Sequence, residues 1–204
     1  LWGDVALKKH TVILWMKVVV ACVPAAVMGL LFDDWMEAHL MNAYVVAAAL
    51  IIYGILFIVV ENINYGKRPA IERVGDITYK TALIIGLFQV LSLVPGTSRS
   101  GSTILGAMII GCSRPAAAEF SFFLGIPVMF GASLLKLVKF GFHFTGLELF
   151  YLIAGMVIAF VVSVYSIKFL MGYIRKNNFK VFGYYRIVLG VIVLFYFGVT
   201  AFLG

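Results

Sequence analysis

Residues 95–103 read Pro-Gly-Thr-Ser-Arg-Ser-Gly-Ser-Thr, a polar turn with apolar sequence on both sides. Arg99 is the only charged residue between Lys80 and Arg114. An arginine at mid-membrane depth costs roughly 2.5–3.5 kcal/mol on insertion scales, so such a residue indicates a functional site with a partner. The expected partner is an anion, because the apolar run from Ile104 predicts a helix whose free N–H groups point back at the turn, and helix N-termini bind phosphate.

The turn offers several groups that suit a phosphate ligand. Arg99 can hold two phosphate oxygens at once, and hydroxyls come from Ser98, Ser100 and Thr103. We predict that these four residues form the catalytic set, with all three hydroxyls as phosphate ligands, since no base that would activate a nucleophile is visible in the sequence. A second set is predicted to bind substrate or phosphate: Gly96, Thr97, Gly101, Ser102 and Gln89. The alternative is a linker between helices in which Ser100 or Ser102 is an N-cap.

The composition indicates a membrane protein. Of 204 residues, 63% are hydrophobic and 12% are charged, and the mean hydropathy is +1.07. These values exclude a soluble globular fold in practice. The net charge of +7 comes from Lys and Arg that mostly flank apolar runs, which indicates membrane orientation and argues against a nucleic-acid partner.

We predict an all-α polytopic fold in one membrane domain. Five apolar segments are long enough to cross a bilayer: 11–32, 40–60, 115–135, 147–168 and 184–204. An acidic loop is expected at Asp33, Asp34 and Glu37, and basic loops at 61–80 and 170–182 are predicted to be cytoplasmic. His10, His39 and His143 are expected at membrane boundaries or in loops.

The segments on either side of the turn are shorter. We predict helices at about 79–95 and 101–113, and their uncharged parts reach only roughly 21 and 16 Å against a hydrocarbon core of about 30 Å. If both basic loops are cytoplasmic, this pair must begin and end on the same side of the membrane. The pair is therefore predicted to re-enter, with its turn facing a protein-lined or watery cavity. Two tilted full crossings are the rival topology.

Short broken helices between spans are typical of inverted-repeat membrane folds, whose sites lie where two such elements meet. One such element is present in this chain. We therefore expect half of an inverted-repeat architecture plus part of the other half, with a second broken helix upstream of Leu1.

Several stretches of the sequence together match a known family. They are Gly-Leu-Phe-Gln at 86–89, the turn at 95–103, Ala-Glu-Phe-Ser-Phe-Phe-Leu at 118–124, Pro-Ala-Ala at 24–26, Gly-Leu-Leu-Phe at 29–32 and Tyr-Arg at 185–186. With these stretches the chain closely resembles the undecaprenyl-diphosphate phosphatases, the bacitracin-resistance family. The resemblance covers nearly the whole chain.

The resemblance implies an enzyme of the bacterial cell (inner) membrane that removes one phosphate from undecaprenyl diphosphate and so recycles the lipid carrier for cell-wall synthesis. It also implies a divalent cation, Mg or Ca, with ligands in an N-terminal glutamate motif that this sequence does not contain. The metal ligands are therefore unknown. The implied partners are a polyprenyl diphosphate lipid and the bilayer, and a homo-oligomer stays open.

Glu119 is costly inside a span unless it is paired. We expect it to be a counter-ion for Arg99 or Arg114, or to take part in a metal site from behind the ligand-binding residues. Two other functions remain open at this point: a polyprenyl-phosphate flippase or transporter with the same re-entrant fold, and a small anion channel that uses the Arg99 turn as a filter.

Overall fold

The computed structural model describes residues 2–141 and 145–203, and these contain seven α-helices and no strand longer than an isolated bridge. His143 lies outside the described residues. Five helices contain a stretch that is long and apolar enough to span a membrane, which confirms the predicted all-α polytopic class. The helices are α1 (Trp2–Leu40), α2 (Ala43–Asn64), α3 (Tyr79–Val90), α4 (Arg99–Ile109), α5 (Arg114–Phe140), α6 (Gly146–Lys176) and α7 (Lys180–Leu203).

Most helix starts follow from a capping side chain. An Asn, Ser or Thr oxygen accepts a hydrogen bond from a backbone N–H in the first turn and so satisfies one of the donors that a helix leaves free. At α6, Thr145 and Glu148 form a full capping box. The other caps of this type are Asn42 before α2, Thr78 before α3, Ser98 before α4 and Ser113 before α5.

The predicted acidic loop at Asp33, Asp34 and Glu37 is wrong, because α1 continues through these positions to Leu40. No Pro or Gly lies between Asp33 and Leu40 to end the helix. The apolar part of α1 ends near Phe32. The acidic residues therefore lie on a helical extension beyond the span.

The basic loop at 61–80 is shorter than predicted. Helix α2 runs on to Asn64, so Glu61 belongs to a helix and is 1% exposed. The prediction places it in a surface loop because the segment that follows is rich in Lys and Arg and contains Gly and Pro. Its actual environment, described below, is a buried ion pair.

Two helix pairs make the most extensive contacts, α1 with α3 and α2 with α7. Both rely on glycine at the contact. A Cβ on Gly86 of α3 would collide with the Ala21 carbonyl of α1, and one on Gly54 of α2 would lie 2.7 Å from the Gly183 carbonyl oxygen of α7. Small residues let backbones approach closely where lipid supplies no hydrophobic drive between helices.

Helices α3 and α4 form a hairpin, and hydrogen bonds close its base. The Ile71 N–H donates to the Gly111 carbonyl (3.1 Å), and the Ser113 N–H donates to the Ile71 carbonyl (2.8 Å). The Ser113 hydroxyl also donates to the Glu72 carbonyl (2.8 Å). The chain therefore enters and leaves the hairpin at the same place.

A buried carboxylate joins this base to the ends of three long helices. Both oxygens of Glu61 accept hydrogen bonds from Arg114 at the start of α5, the shortest at 2.6 Å. Its Oε1 also accepts from the backbone N–H of Phe179, between α6 and α7 (2.8 Å). The segments after α2, before α5 and before α7 thus lie at one end of the molecule. The second predicted basic loop, 170–182, is wrong in extent, because α6 continues to Lys176 and α7 starts at Lys180.

Candidate active site

The polar turn lies at the end of the hairpin away from its base, and Ser98 determines its shape. Ser98 is the N-cap of α4, whose first helical residue is Arg99. Its φ of 67° makes it the one non-glycine residue with positive φ in the described backbone. Such conformations cost on the order of 1–3 kcal/mol and cluster at functional sites. The alternative interpretation, with Ser100 or Ser102 as the N-cap, is wrong in its capping residue, because the helix begins two to four residues earlier, with Ser98 as its N-cap.

Two hydroxyls lie together at this N-terminus. The Ser98 hydroxyl accepts from the Gly101 N–H (3.3 Å) and lies 3.3 Å from the Ser100 hydroxyl. Ser98 is exposed and Ser100 is half-buried. Of the hydroxyls predicted at the site, these two are the most accessible, and they flank the positive end of a helix.

Arg99 is directed away from these hydroxyls toward α5. Its Nη1 donates to the Ser121 carbonyl (3.1 Å), and the guanidinium lies against Gly125, where an added Cβ would be 2.5 Å from Nη2. The missing side chain of Gly125 therefore makes the space that Arg99 occupies. Since a guanidinium has five N–H donors, one carbonyl leaves most of them without a protein partner.

Arg186 brings a second guanidinium to the turn from α7. Its Nη1 donates to the Thr97 carbonyl (2.9 Å), and its Cζ would lie 3.6 Å from a Cβ on Gly101. The group also lies over the Phe57 ring, 6.0 Å from the centroid. Gly101 thus keeps the space between Arg186 and Ser98 open.

Sequence reasoning did not include Arg186 in the site. A signal was present, because Arg186 is the only charged residue after Lys180 in the chain. The same argument from an isolated charge in apolar sequence that singled out Arg99 applies to it.

The charged side chains described at the turn, Arg99 and Arg186, are both positive. In the described part of the chain, neither Arg99 nor Arg186 forms an ion pair, and both donate to backbone carbonyls. A buried charge without a counter-ion is costly, so this arrangement favours an anionic ligand. Together with the free N–H groups of the first turn of α4, it can hold a phosphate group.

The structure does not place Thr103 and Thr97 as free phosphate ligands. The Thr103 hydroxyl is fully buried and lies 2.7 Å from the Ser121 hydroxyl and 3.0 Å from the Arg99 carbonyl. The Thr97 hydroxyl donates to the Leu91 and Val94 carbonyls. Both hydroxyls stabilise the turn and its helix from within.

Gln89 and Ser102 are also buried, at 1% and 0% exposure. The Gln89 amide and the Ser102 hydroxyl have no hydrogen-bond partner among the described residues. An unsatisfied buried polar group costs about 1–3 kcal/mol. The structure therefore does not join either side chain to the turn by a hydrogen bond, and their predicted role in binding substrate stays a prediction.

Gly96 has a different use from the one expected. Its φ is 91°, and a Cβ there would lie 2.5 Å from the Val46 carbonyl oxygen of α2. Its backbone approaches α2 closely, and this contact holds the turn against the helix. The expected close approach to a ligand is better met at Gly101, which is buried beside Arg186.

The expected partner of Glu119 is wrong. Its carboxylate lies 3.9 Å from Arg175 of α6, while Arg114 is paired with Glu61. Both Glu119 and Arg175 are substantially exposed, so this ion pair contributes little. A role for Glu119 behind the ligand-binding residues has no contact to support it in the described structure.

The residues around the turn do not fit a metal site. Hydroxyls and two guanidinium groups surround it, whereas hard divalent cations take carboxylate and carbonyl oxygens. No group of three or more His, Cys, Asp or Glu side chains suited to a metal occurs among the described residues.

Comparison with known proteins gives consistent matches over most of the chain. An undecaprenyl-diphosphatase of Desulfitobacterium hafniense is 60% identical over 98% of this chain and 72% of its own length. One from Enterococcus faecalis is 62% identical over 92% of this chain and 68% of its own length. One from Acetivibrio thermocellus is 60% identical over 95% of this chain and 71% of its own length.

The model of one protein family, described as bacitracin resistance protein BacA, matches residues 2–192. The match includes the turn, α4 and Arg186. The resemblance predicted from the motifs around residues 95–103 is confirmed, and the chain belongs to the BacA bacitracin resistance family.

Proposed function

We propose that this protein hydrolyses undecaprenyl diphosphate to undecaprenyl phosphate and inorganic phosphate, and so recycles the lipid carrier for cell-wall synthesis. The observation that carries the proposal is the turn at the end of the hairpin, where Arg186 and the start of α4 meet beside Ser98 and Ser100, with no carboxylate paired to Arg99 or Arg186 among the described residues. The relatives' shared name, undecaprenyl-diphosphatase, agrees with an anionic phosphate substrate.

The five apolar helices and the family place the protein in the bacterial inner membrane as a multi-pass protein. A polyprenyl diphosphate would then present its phosphates to the turn while its tail stays among lipid. Cleavage of a phosphoanhydride depends mostly on positioning and on stabilising the charge that spreads over the phosphoryl oxygens. Arg186 and the α4 N-terminus would bind these oxygens, and the Ser98 and Ser100 hydroxyls would orient them.

In this proposal Arg99 also binds the phosphates. To do so, its side chain leaves the Ser121 carbonyl and turns toward the substrate. Its single protein hydrogen bond is to a carbonyl and leaves the guanidinium fork unsatisfied. No His, Asp or Glu in the described residues hydrogen-bonds to Ser98, Ser100 or Thr103, so we assign the hydroxyls to binding and not to nucleophilic attack.

A divalent cation, Mg or Ca, is a further part of the proposal. Because the groups at the turn do not suit a metal, its ligands would come from elsewhere in the protein. A flippase or transporter function has no specific observation in its favour, and homo-oligomerisation stays a prediction.

The test is phosphate release from undecaprenyl diphosphate by purified, monodisperse protein with added Mg or Ca. In a protein of full family length, Arg99→Lys should slow turnover about 10- to 100-fold, since charge remains but bidentate geometry is lost. Lys176→Gln, which removes an exposed charge outside the site, is the control. Near-normal activity of Arg99→Lys would show that a point charge suffices.

A further inference from the structure

A cavity lined by basic residues lies at the base of the hairpin, at the opposite end from the turn. Its volume is about 470 Å³, and it lies between the end of α2, the segment 65–70, the end of α4, the start of α5 and the end of α6. The candidate spans of α2, α5 and α6 begin or end beside it, at Asn64, Arg114 and Lys176. The cavity therefore lies where three spans meet the aqueous boundary.

Among the described residues, four cationic side chains and no acidic side chain line this cavity: Lys67, Arg68, Arg114 and Arg175. Arg114 is neutralised from behind by Glu61, to which its Nε and Nη2 donate, and Arg175 lies 3.9 Å from the partly exposed Glu119. Lys67 and Arg68 are exposed and form no ion pair with a described residue. The cavity thus has an excess of positive charge with free donors.

The negative end of α4 does not cancel this charge. At its end, the Met108 carbonyl accepts from the Asn64 amide (3.2 Å) and from the Gly111 N–H (3.2 Å). The Gly111 carbonyl accepts from the Ile71 N–H. The carbonyls that face this region are therefore hydrogen-bonded within the protein, which leaves the cationic side chains as the available groups.

We propose that this cavity binds a phosphate group, at a site separate from the polar turn. Clustered Lys and Arg at the edge of membrane spans attract anionic lipids, and basic pockets between helices bind their headgroups. Tyr65, which is 81% exposed beside the cavity, is of the residue type enriched at the membrane interface. The same chemistry would accept the headgroup of an anionic phospholipid or free inorganic phosphate.

The experiment compares variants of the full chain in detergent micelles. The test variant is Lys67→Gln with Arg68→Gln. The matched control is Arg73→Gln with Lys80→Gln, which removes the same charge from two exposed positions outside the cavity, one in the same connection and one at the start of α3. A third variant, Lys67→Arg with Arg68→Lys, keeps the charge, and all three are checked for monodispersity.

Two probes separate the sources of the phosphate group. Fluorescent phosphatidylglycerol is titrated against each variant, with fluorescent phosphatidylcholine as the zwitterionic reference, and labelled inorganic phosphate is measured by equilibrium dialysis. We expect about 10- to 30-fold weaker binding of one of these anions to the Gln pair, with the control and charge-retaining variants unchanged.

Loss of phosphatidylglycerol binding alone identifies a lipid headgroup site, and loss of inorganic phosphate binding alone identifies a site for free phosphate. Binding of both probes that is equal in the Gln pair and in the control pair overturns the proposal. Preference for phosphatidylcholine over phosphatidylglycerol in the unmodified protein overturns it as well.

Discussion

The two ends of the hairpin both contain buried or half-buried arginine but treat it differently. At the base, Arg114 meets the carboxylate of Glu61, which is itself 1% exposed and fully hydrogen-bonded. At the turn, the hydrogen bonds that Arg99 and Arg186 donate within the described structure go to backbone carbonyl oxygens. A charge neutralised by the protein stabilises the fold, whereas a charge left without a counter-ion is available to a ligand. The Glu61–Arg114 pair is therefore assigned to structure and the arginines of the turn to substrate.

The largest expected effect concerns which side of the membrane the base occupies. If the hairpin re-enters, Arg73→Cys and Ser113→Cys should both be labelled by an impermeant maleimide from one side, and Leu147→Cys, at the start of α6, only from the other. The measurement is labelling of intact and opened cells in a Cys22→Ala background. Labelling of the first two from opposite sides would contradict re-entry.

Native Cys112 can stay in place during this measurement. Burial raises the pKa of its thiol to about 11, so at pH 7.5 it is far less reactive than an exposed cysteine. Its reactivity should increase steadily as the pH is raised toward that value.

A second prediction tests the ion pair at the base. Glu61→Ala leaves the buried Phe179 N–H and the partly exposed Arg114 guanidinium without their partner, and should destabilise the protein by about 1–3 kcal/mol. Glu72→Ala removes an exposed carboxylate from the adjoining connection and should have little effect. Thermal unfolding in one detergent compares the two. Equal melting temperatures would show that the base does not depend on this pair.

The smallest expected effect tests the space made for Arg99. Gly125→Ala places a Cβ 2.5 Å from Nη2, so the flexible guanidinium must move while the helix stays intact. We expect phosphate release to fall about 3- to 10-fold, with stability changed by less than about 1 kcal/mol. Gly131→Ala on the same helix meets nothing within 4 Å and is the control. Equal activity of both variants would separate Arg99 from the reaction.

The sequence supports the predictions that depend on local composition. Apolar length predicts the five long helices, and an isolated charge in apolar sequence identifies Arg99 and would also have identified Arg186. The hydrogen-bond partners of a side chain cannot be predicted in this way, because they depend on how distant segments of the chain meet. Glu61 lies 53 residues from Arg114 and 118 from Phe179, so no local pattern indicates that these groups share a hydrogen-bond network.

The roles of individual hydroxyls were beyond sequence reasoning for a related reason. Ser98, Ser100 and Thr103 are alike as donors and acceptors, yet only the first two remain accessible once α4 begins at Arg99. Thr103 lies one turn after Arg99 on the same face of α4, which contacts Ser121, and it is fully buried there. The exact start of a helix therefore decides which hydroxyls belong to the site, and boundaries are the least readable feature of a sequence.

The glycine contact between α2 and α7 has a mechanical consequence for the site. Gly54 meets Gly183 backbone to backbone, and a Cβ on Gly190 would lie 2.9 Å from the Ala47 carbonyl oxygen further along the same pair. Helices joined this closely tilt as one unit when bilayer thickness changes. Gly96 of the turn packs against α2, and Arg186 is part of α7. A thicker or thinner membrane would therefore reorient the turn and Arg186 together without separating them.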